Sequence, residues 1–536
     1  MSKPREATAE HVHGADVLVV GGGMAGAWAA ASAAREGASV ILVDKGYCGT
    51  SGVTAAAGPG HWWAPPDPPE ARQRAIGNRL AIAFGLGDPD WMERIIDETF
   101  RRLPTLDRHY RFPRDDRGSI NYRAVRGPEY VRALRAQALA LGVTILDHHP
   151  ALELVADAAG TIIGARGLRR QQGGRWRVAA GATILAAGGT SFLSHLLGAA
   201  TNTGDGYLMA AEAGAELSGM EFTAAYTIAP RRSTMTRTMS YAFADYYDGD
   251  GQAIDAPFGP DQTLKIARAL SRGPVYCSLA RLPQDVRDRL HTISPNVPLV
   301  FERFGIDPYR DRFEVILHTD GTIRGMGGVR VATVDCATSV PGLYVAGDNA
   351  SRERVAGASS GGGNVNSAWA LSSGTWAGRA AAVHARRSGP VDHAAARPLG
   401  RVGIHPVGNA RRVDLAALAE TVKGAMHPYD RNLFRSAAGL AAARAELDAA
   451  WSELSLHGEA GAEPLRQREL AALIASARWS VASALARTES RGMHIREDFP
   501  ARDPGLAHRL IAHGLDDIVV SAEAAAAHSR QLEPLS

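Results

Sequence analysis

Residues 15–26 read ADVLVVGGGMAG, and residues 39–45 read SVILVDK. The first segment is apolar and β-branched after Asp16, as in a strand covered on both faces of a parallel sheet. Gly21, Gly23 and Gly26 follow in G-x-G-x-x-G spacing. There the first glycine permits a tight turn, the second lets backbone approach a pyrophosphate, and the third lets a helix pack close to the strand. The alanine-rich run from Met24 to Arg35 predicts that helix, whose N-terminus offers free N–H groups and a dipole that favours phosphate. Asp44 closes the second strand about 20 residues later, where a carboxylate can hydrogen-bond a ribose hydroxyl. A lone glycine pattern equally describes a turn without ligand. Strand, helix, second strand and terminal acid together select a dinucleotide site. NAD and FAD both remain open at this point.

Three later segments favour a flavin. Residues 49–60 read GTSGVTAAAGPG, a loop of small residues suited to close backbone contact with a bulky group. Residues 182–189, ATILAAGG, and 340–348, VPGLYVAGD, are strands running into glycines. Strands returning to one site from so far along the chain suit a flavin, whose ring reaches well beyond the dinucleotide turn.

The remaining composition sets bounds. The chain has 536 residues, too many for one core, so two or three domains are expected. With 45% apolar and 21% charged residues it reads as globular, and a net charge of +3 gives no argument for nucleic acid or membrane. Cys48, Cys277 and Cys336 are widely spaced with no CxxC, which excludes a disulfide framework and a cysteine-ligated iron–sulfur cluster of this chain's own. The first residues, MSKPREATAEHVHG, lack the apolar core of a signal peptide, and no apolar run is long enough to span a bilayer. A cytoplasmic enzyme is the expectation.

Further segments carry a resemblance. Residues 201–221, TNTGDGYLMAAEAGAELSGME, 273–279, GPVYCSL, 326–329, MGGV, and above all 484–503, ALARTESRGMHIREDFPARD, resemble the succinate dehydrogenase/fumarate reductase flavoprotein superfamily. That group also contains L-aspartate oxidase and the adenylylsulfate reductase alpha subunit. The resemblance implies an α/β fold: a Rossmann-like FAD-binding domain, an inserted α+β capping domain and a C-terminal helical domain. It places FAD against Gly21, Gly23, Met24, Ala25, Gly26, Asp44 and Lys45, and against Thr50, Ser51, Gly52, Ala57, Gly58 and Gly60 of the loop. Ala187, Gly188, Asp205, Gly347, Asp348, Gly363 and Asn364 complete the contact positions.

The departures from the family are as informative. Members with covalent FAD attach it through a histidine where Gly52 stands here, so the flavin is expected to be non-covalent. Tyr226, Ile323 and Ser360 occupy the positions of two substrate histidines and a substrate-clamping arginine. Charge-assisted hydrogen bonds contribute roughly 1.5–3 kcal/mol each, so three lost contacts forfeit on the order of 5–9 kcal/mol. A micromolar ligand has only about 8 kcal/mol in all, so succinate and fumarate are not expected as substrates. Residues 371–379, LSSGTWAGR, resemble adenylylsulfate reductase alpha subunits, which pass electrons to a ferredoxin-like subunit. That implies a ferredoxin-like iron–sulfur partner and assembly into homo- or hetero-oligomers. The two other readings are an oxygen-dependent oxidase resembling L-aspartate oxidase and a flavin-carrying subunit without turnover of its own.

The expected boundaries are residues 15–217 plus 325–387 for the FAD domain, 218–324 for the cap, 388–412 for a linker and 413–520 for a helical bundle, with a fraying tail after Ala522. Arg324, Arg268 and Tyr226 are the catalytic candidates. Arg324, Trp62, Trp63 and Ser360 are the candidates for contact with a small, anionic substrate. Residues 357–361 spell G-x-S-x-G, which in a flavin-contacting segment is not read as a hydrolase elbow. His494 and Arg496 are read as structural. His148 and His149 lack partners at ligand spacing and residues 248–251, DGDG, lack a distal glutamate, so no metal is expected.

Overall fold

His11–Val20 and Val40–Val43 lie side by side and parallel, with Val17 opposite Val40 and Val20 opposite Val43. Arg175–Leu185 runs parallel on the other side of the first strand, and Leu343–Val345 joins it over Thr183–Leu185. Thr144–Leu146 extends the parallel part. Ile162–Leu168, Ala151–Ala156 and Arg397–Pro398 add antiparallel strands, giving an eight-stranded mixed sheet. The computed structural model describes residues 10–524 except 115–116, 124, 235–238, 260, 390, 392–395, 406–407, 409–410 and 458–463.

The helix Met24–Arg35 is buried from Met24 to Ala33, which its alanines allow. It packs along the 27-residue helix Gly362–Ser388. Their backbones approach closely because Gly374 and Gly378 face it: a Cβ at either would overlap the carbonyl oxygen of Ala25 or Ala29. Trp91, Trp369 and Trp376 fill the seam between the long helix and Pro89–Arg102.

The cap is a five-stranded antiparallel sheet in the order Ala253–Ile254, Asp245–Tyr247, Val275–Ser278, Phe313–Thr319, Tyr226–Pro230. Gln262–Leu270, Gln284–Ile293 and Asn296–Phe304 are its helices. Its core is separate from the main one and takes in Leu433 and Phe434 of the C-terminal region.

The C-terminal region contains the helices Leu415–Met426, Ala437–His457 and Pro464–Ala486. It is not helical to its end. Leu510–His513 and Val519–Ala522 form a hairpin that pairs with Leu217–Ser218, so the chain returns to the edge of the flavin domain. Strands of four residues are too short for periodicity to distinguish from helix. The expected linker is likewise not a free tether, since Arg397–Pro398 adds to the main sheet beside Val155 and Ala156. The rest of that stretch lies partly, and the expected fraying tail almost wholly, outside the described residues. Among the described residues no helix is long and apolar enough to cross a membrane.

Candidate cofactor and active site

At the carboxyl ends of the parallel strands lies a cavity of about 900 Å³, roofed by the cap. Gly21, Gly23, Met24 and Ala25 form its first wall. Gly21 has φ +107°, and a Cβ there would overlap the Ala186 carbonyl; one at Gly26 would overlap the carbonyl oxygen of Gly21. A Cβ at Gly23 meets nothing within 4 Å, because Gly23 faces the open cavity. Gly26 therefore lies behind the turn and sets its shape rather than lining the cavity. No side chain caps Met24–Arg35, and its first turn holds no acid. Its N–H groups and dipole are thus left for an anion.

The second strand ends at Asp44, whose carboxylate accepts from the Gly22 amide at 2.6 Å, the Gly46 amide at 2.7 Å and Ser51 Oγ at 2.8 Å. Asp44 thereby ties the glycine turn to the loop around Ser51 while lining the cavity. Lys45 donates to Asp205 at 2.7 Å, Glu469 at 2.8 Å and Thr203 at 2.9 Å. Burial lowers its pKa, but the two carboxylates outweigh burial and hold it above the ordinary value. His149 also lines this end; its Nδ1 donates to the Asp147 carbonyl at 2.6 Å, and burial lowers its pKa.

Ser51, Gly52, Ala57, Gly58 and Gly60 of the loop line the cavity, as do Ala187, Gly188, Asp205, Gly347, Asp348, Gly363 and Asn364. The N-terminus of Gly362–Ser388 is a second helix end directed at the same space, again without a side-chain cap or an acid. Two buried amide oxygens, Asn202 Oδ1 and Asn366 Oδ1, border the cavity without a hydrogen-bond partner among the described residues. Buried acceptors are normally paired, so these two are suited to a ligand's donors. A glycine cradle, two uncapped helix ends and two orphaned amides together fit a dinucleotide carrying further hydrogen-bonding groups. Asn202 and Asn366 sit inside the TNTGDG and GGGNVN strings, but only the folded structure isolates their amides.

At the cap end the wall changes. Arg324 lines it, with Nε 3.2 Å from Asp320. Arg352, a residue without a signal in the sequence, is fully buried beneath it. Arg352 Nη1 donates to Asp348 at 2.7 Å, and Nη2 donates to the carbonyls of Thr322 at 3.1 Å and Ile323 at 2.7 Å. One guanidinium thus fixes Asp348 relative to the segment that carries Arg324. Burial raises the Asp348 pKa, an effect Arg352 opposes.

Several expected site residues do not reach this cavity. Tyr226 begins a cap strand and points away: its hydroxyl lies 3.3 Å and 3.1 Å from the carbonyls of Met426 and His427, and it accepts from Asn432. Arg268 faces the C-terminal region, paired with Glu497 at 2.5 Å and stacked 3.5 Å over Phe434. Trp62 is buried behind the loop, its amide bonded to the Asn364 carbonyl, and Trp63 packs on Phe100 and Tyr122. Both anchor the loop, because two indoles here find apolar neighbours on the side away from the cavity. Ser360 is absent from the cavity wall; its carbonyl accepts from Arg79. Thr50 turns its hydroxyl back to the Tyr47 carbonyl.

The remaining motifs have structural partners. In the G-x-S-x-G string, Ser359 Oγ donates to the Ile82 carbonyl and accepts from Arg79. His494 accepts from Arg435 at 2.7 Å, and Arg496 pairs with Asp498 at 2.8 Å. Asp248 accepts from the amides of Asp250 and Gln252 and closes a turn. Among the described residues no group of histidine, cysteine or acid side chains could hold a metal ion.

Likeness to known proteins runs along most of the chain. Residues 16–231 match the FAD binding domain model, and residues 425–527 match the fumarate reductase flavoprotein C-terminal model. The chain is 29% identical to an L-aspartate oxidase of Mycobacterium tuberculosis, covering 94% of this chain and 96% of that protein. It is 26% identical to a fumarate reductase (CoM/CoB) polypeptide of Methanothermobacter marburgensis, over 91% and 95%. A variant of E. coli quinol fumarate reductase FrdA superimposes with a TM-score of 0.81 at 20% identity, over 96% of this chain and 97% of that one. Adenylylsulfate reductase from Archaeoglobus fulgidus gives 0.71 at 16% identity, over 97% and 98%.

Proposed function

The chain belongs to the succinate dehydrogenase/fumarate reductase flavoprotein superfamily and is an FAD-dependent oxidoreductase; from that premise we propose that it holds FAD non-covalently and acts on a small anionic substrate other than succinate or fumarate, bound between flavin domain and cap. The observation that carries this reading is one cavity shared by the glycine cradle and the cap, with Arg324 at their junction. When bound, FAD supplies a ring that takes up or gives up two electrons.

The chain's own residues supply the rest. Gly52, at φ +79°, has no side chain for a covalent bond at the loop's turn. Arg324 offers an anion a charged donor fork. Asn296 of the cap donates to the Ala56 carbonyl at 3.2 Å, which ties the cap to the loop. Arg352 keeps Asp348 and the Arg324 segment in fixed register.

Electrons are exchanged with a separate ferredoxin-like iron–sulfur protein, since all three cysteines are buried, unpaired and apart in the chain. Free thiols suit the cytoplasm. A second reading, direct reoxidation by oxygen, is favoured by the likeness to L-aspartate oxidases along nearly the whole chain. Acid precipitation of the purified protein tests the binding mode: yellow colour should stay in solution, and colour in the pellet refutes a non-covalent flavin. Substrate-dependent bleaching of the flavin band tests turnover. Stoichiometric peroxide at full rate without an iron–sulfur protein would replace the first acceptor by the second.

A further inference from the structure

The two ends of the cavity differ in wall chemistry, and the cap end reads as a recognition site in its own right. From the cap, Phe243, Val286 and Leu290 face it; from the flavin domain Val53 and Leu196 do, with Ile323 at the end of the cap segment packed on them. Leu196 and Ile323 pack together with Val53 against them. The Asn296 contact to Ala56 sets the corner of the cap against the loop that carries Val53. This end is therefore a slot with apolar walls from both sides, edged by Ser240, Ser294 and Asn296 of the cap.

Charge is sparse around it. The Arg and Lys side chains on the cavity wall are Lys45, Arg126 and Arg324. Lys45 is held by Asp205 and Glu469, and Arg126 is 55% exposed at the rim beside Glu129. Arg324 has only its Nε near Asp320; among the described residues no hydrogen bond engages its Nη1 or Nη2. Its side chain is 28% exposed, so the fork is accessible from the cavity. A guanidinium fork matches a planar carboxylate with two parallel N–H bonds. Asp320 also accepts from Thr227, so it is fixed in place, and Asp348 on the same wall is a second carboxylate whose charge interacts with Arg324. A second ligand anion would stand against hydrocarbon without a cation, which desolvation strongly disfavours.

We infer that the substrate is a monocarboxylate with an apolar body, its carboxylate on Arg324 and its hydrocarbon against Phe243, Val286, Leu290, Val53, Leu196 and Ile323. This rests on the oxidoreductase reading and names the substrate class for that same site.

Calorimetric titration of the FAD-loaded protein tests it with octanoate, octanamide and fumarate as probes. Octanoate should bind about tenfold or more tightly than either octanamide, which lacks the charge, or fumarate, which lacks the body. Arg324→Gln should bring octanoate down to the octanamide level. Val286→Asp, on a half-buried position of the cap helix Gln284–Ile293, should weaken octanoate by about tenfold or more while thermal unfolding is unchanged. Fumarate binding as tightly as octanoate, or unchanged octanoate affinity in both variants, overturns the inference. Flavin content of the same sample, read from its visible absorbance, judges the oxidoreductase reading separately: a yellow protein that ignores octanoate refutes the substrate class alone.

Discussion

At the nucleotide end of the cavity the wall is mostly backbone; at the cap end it is side chain. The first end is made of glycine turns and two helix N-termini, where a Cβ finds no room or where N–H groups must stay exposed to the ligand. The second is made of the side chains of Phe243, Leu290, Ile323 and Arg324. Backbone chemistry is common to every nucleotide, so the first end recognises a cofactor class. Side-chain chemistry is particular, so the second end selects a substrate. Arg352 joins the two, bonding Asp348 on one side and the carbonyls of Thr322 and Ile323 on the other.

The largest effect is expected at that joint. Arg352→Met fills the volume but leaves Asp348 and two carbonyls without their donor. Breaking a buried ion pair costs about 3–5 kcal/mol, and urea unfolding should show a loss of that size with weaker flavin retention. A variant as stable as the parent would mean that the two ends are held in register by something else. At the nucleotide end, Gly26→Ala drives a Cβ onto the Gly21 carbonyl oxygen. Overpacking of this kind costs about 1–3 kcal/mol, and the displaced turn should leave a purified protein with little visible flavin absorbance. Full flavin content in Gly26→Ala would break the claim that the turn leaves no room for a side chain behind Gly21.

The same division decides what could be read from the sequence. Glycine spacing, strand, helix and terminal acid are local, so the cradle from Gly21 to Asp44 was legible, as was the later return of Gly347 and Asp348. The cap end was not. Tyr226 and Arg268 occupy family positions, yet one points at the carbonyls of Met426 and His427 and the other stacks on Phe434 outside the cap. Which face of a cap helix looks inward depends on how the cap is seated, and no local pattern carries that. Arg352 illustrates the same limit: an arginine between two loops reads as surface until the fold buries it. The strand Leu510–His513 was hidden because its partner, Leu217–Ser218, lies almost three hundred residues earlier in the chain.

A smaller, pH-dependent effect belongs to the ground beneath the joint. Glu353 follows Arg352 and is buried among Glu221, Arg487 and Arg509, with Ser218 donating to it. Burial, reinforced by Glu221, raises its pKa from 4.5 to about 7. The folded protein therefore keeps a proton that the unfolded chain releases, and this contribution is complete below 4.5 and lost as pH rises through about 7. Within that window stability should fall by up to about 1.4 kcal/mol per pH unit. Glu353→Gln cannot ionise and should flatten the melting temperature between about pH 5 and about pH 8. An unchanged slope would assign the pH dependence to other groups.

The smallest expected effect is at Arg268. Its pair with Glu497 is about half exposed on both sides, and it lies outside the cavity wall. Exposed pairs contribute about 0–1 kcal/mol, and the stacking on Phe434 adds about 0.5–1 kcal/mol at such a site. Arg268→Ala should therefore move thermal unfolding slightly and leave flavin content and octanoate affinity as they were. Arg324→Gln should abolish octanoate affinity and also lower stability, because the buried Asp320 carboxylate loses its cation. Arg324 lines the cavity and Arg268 meets the C-terminal region instead, yet the sequence offered both as active-site candidates. If Arg268→Ala abolished ligand binding while Arg324→Gln spared it, the cap would have to seat differently in the working enzyme, and the assignment of its inner face would fall with it.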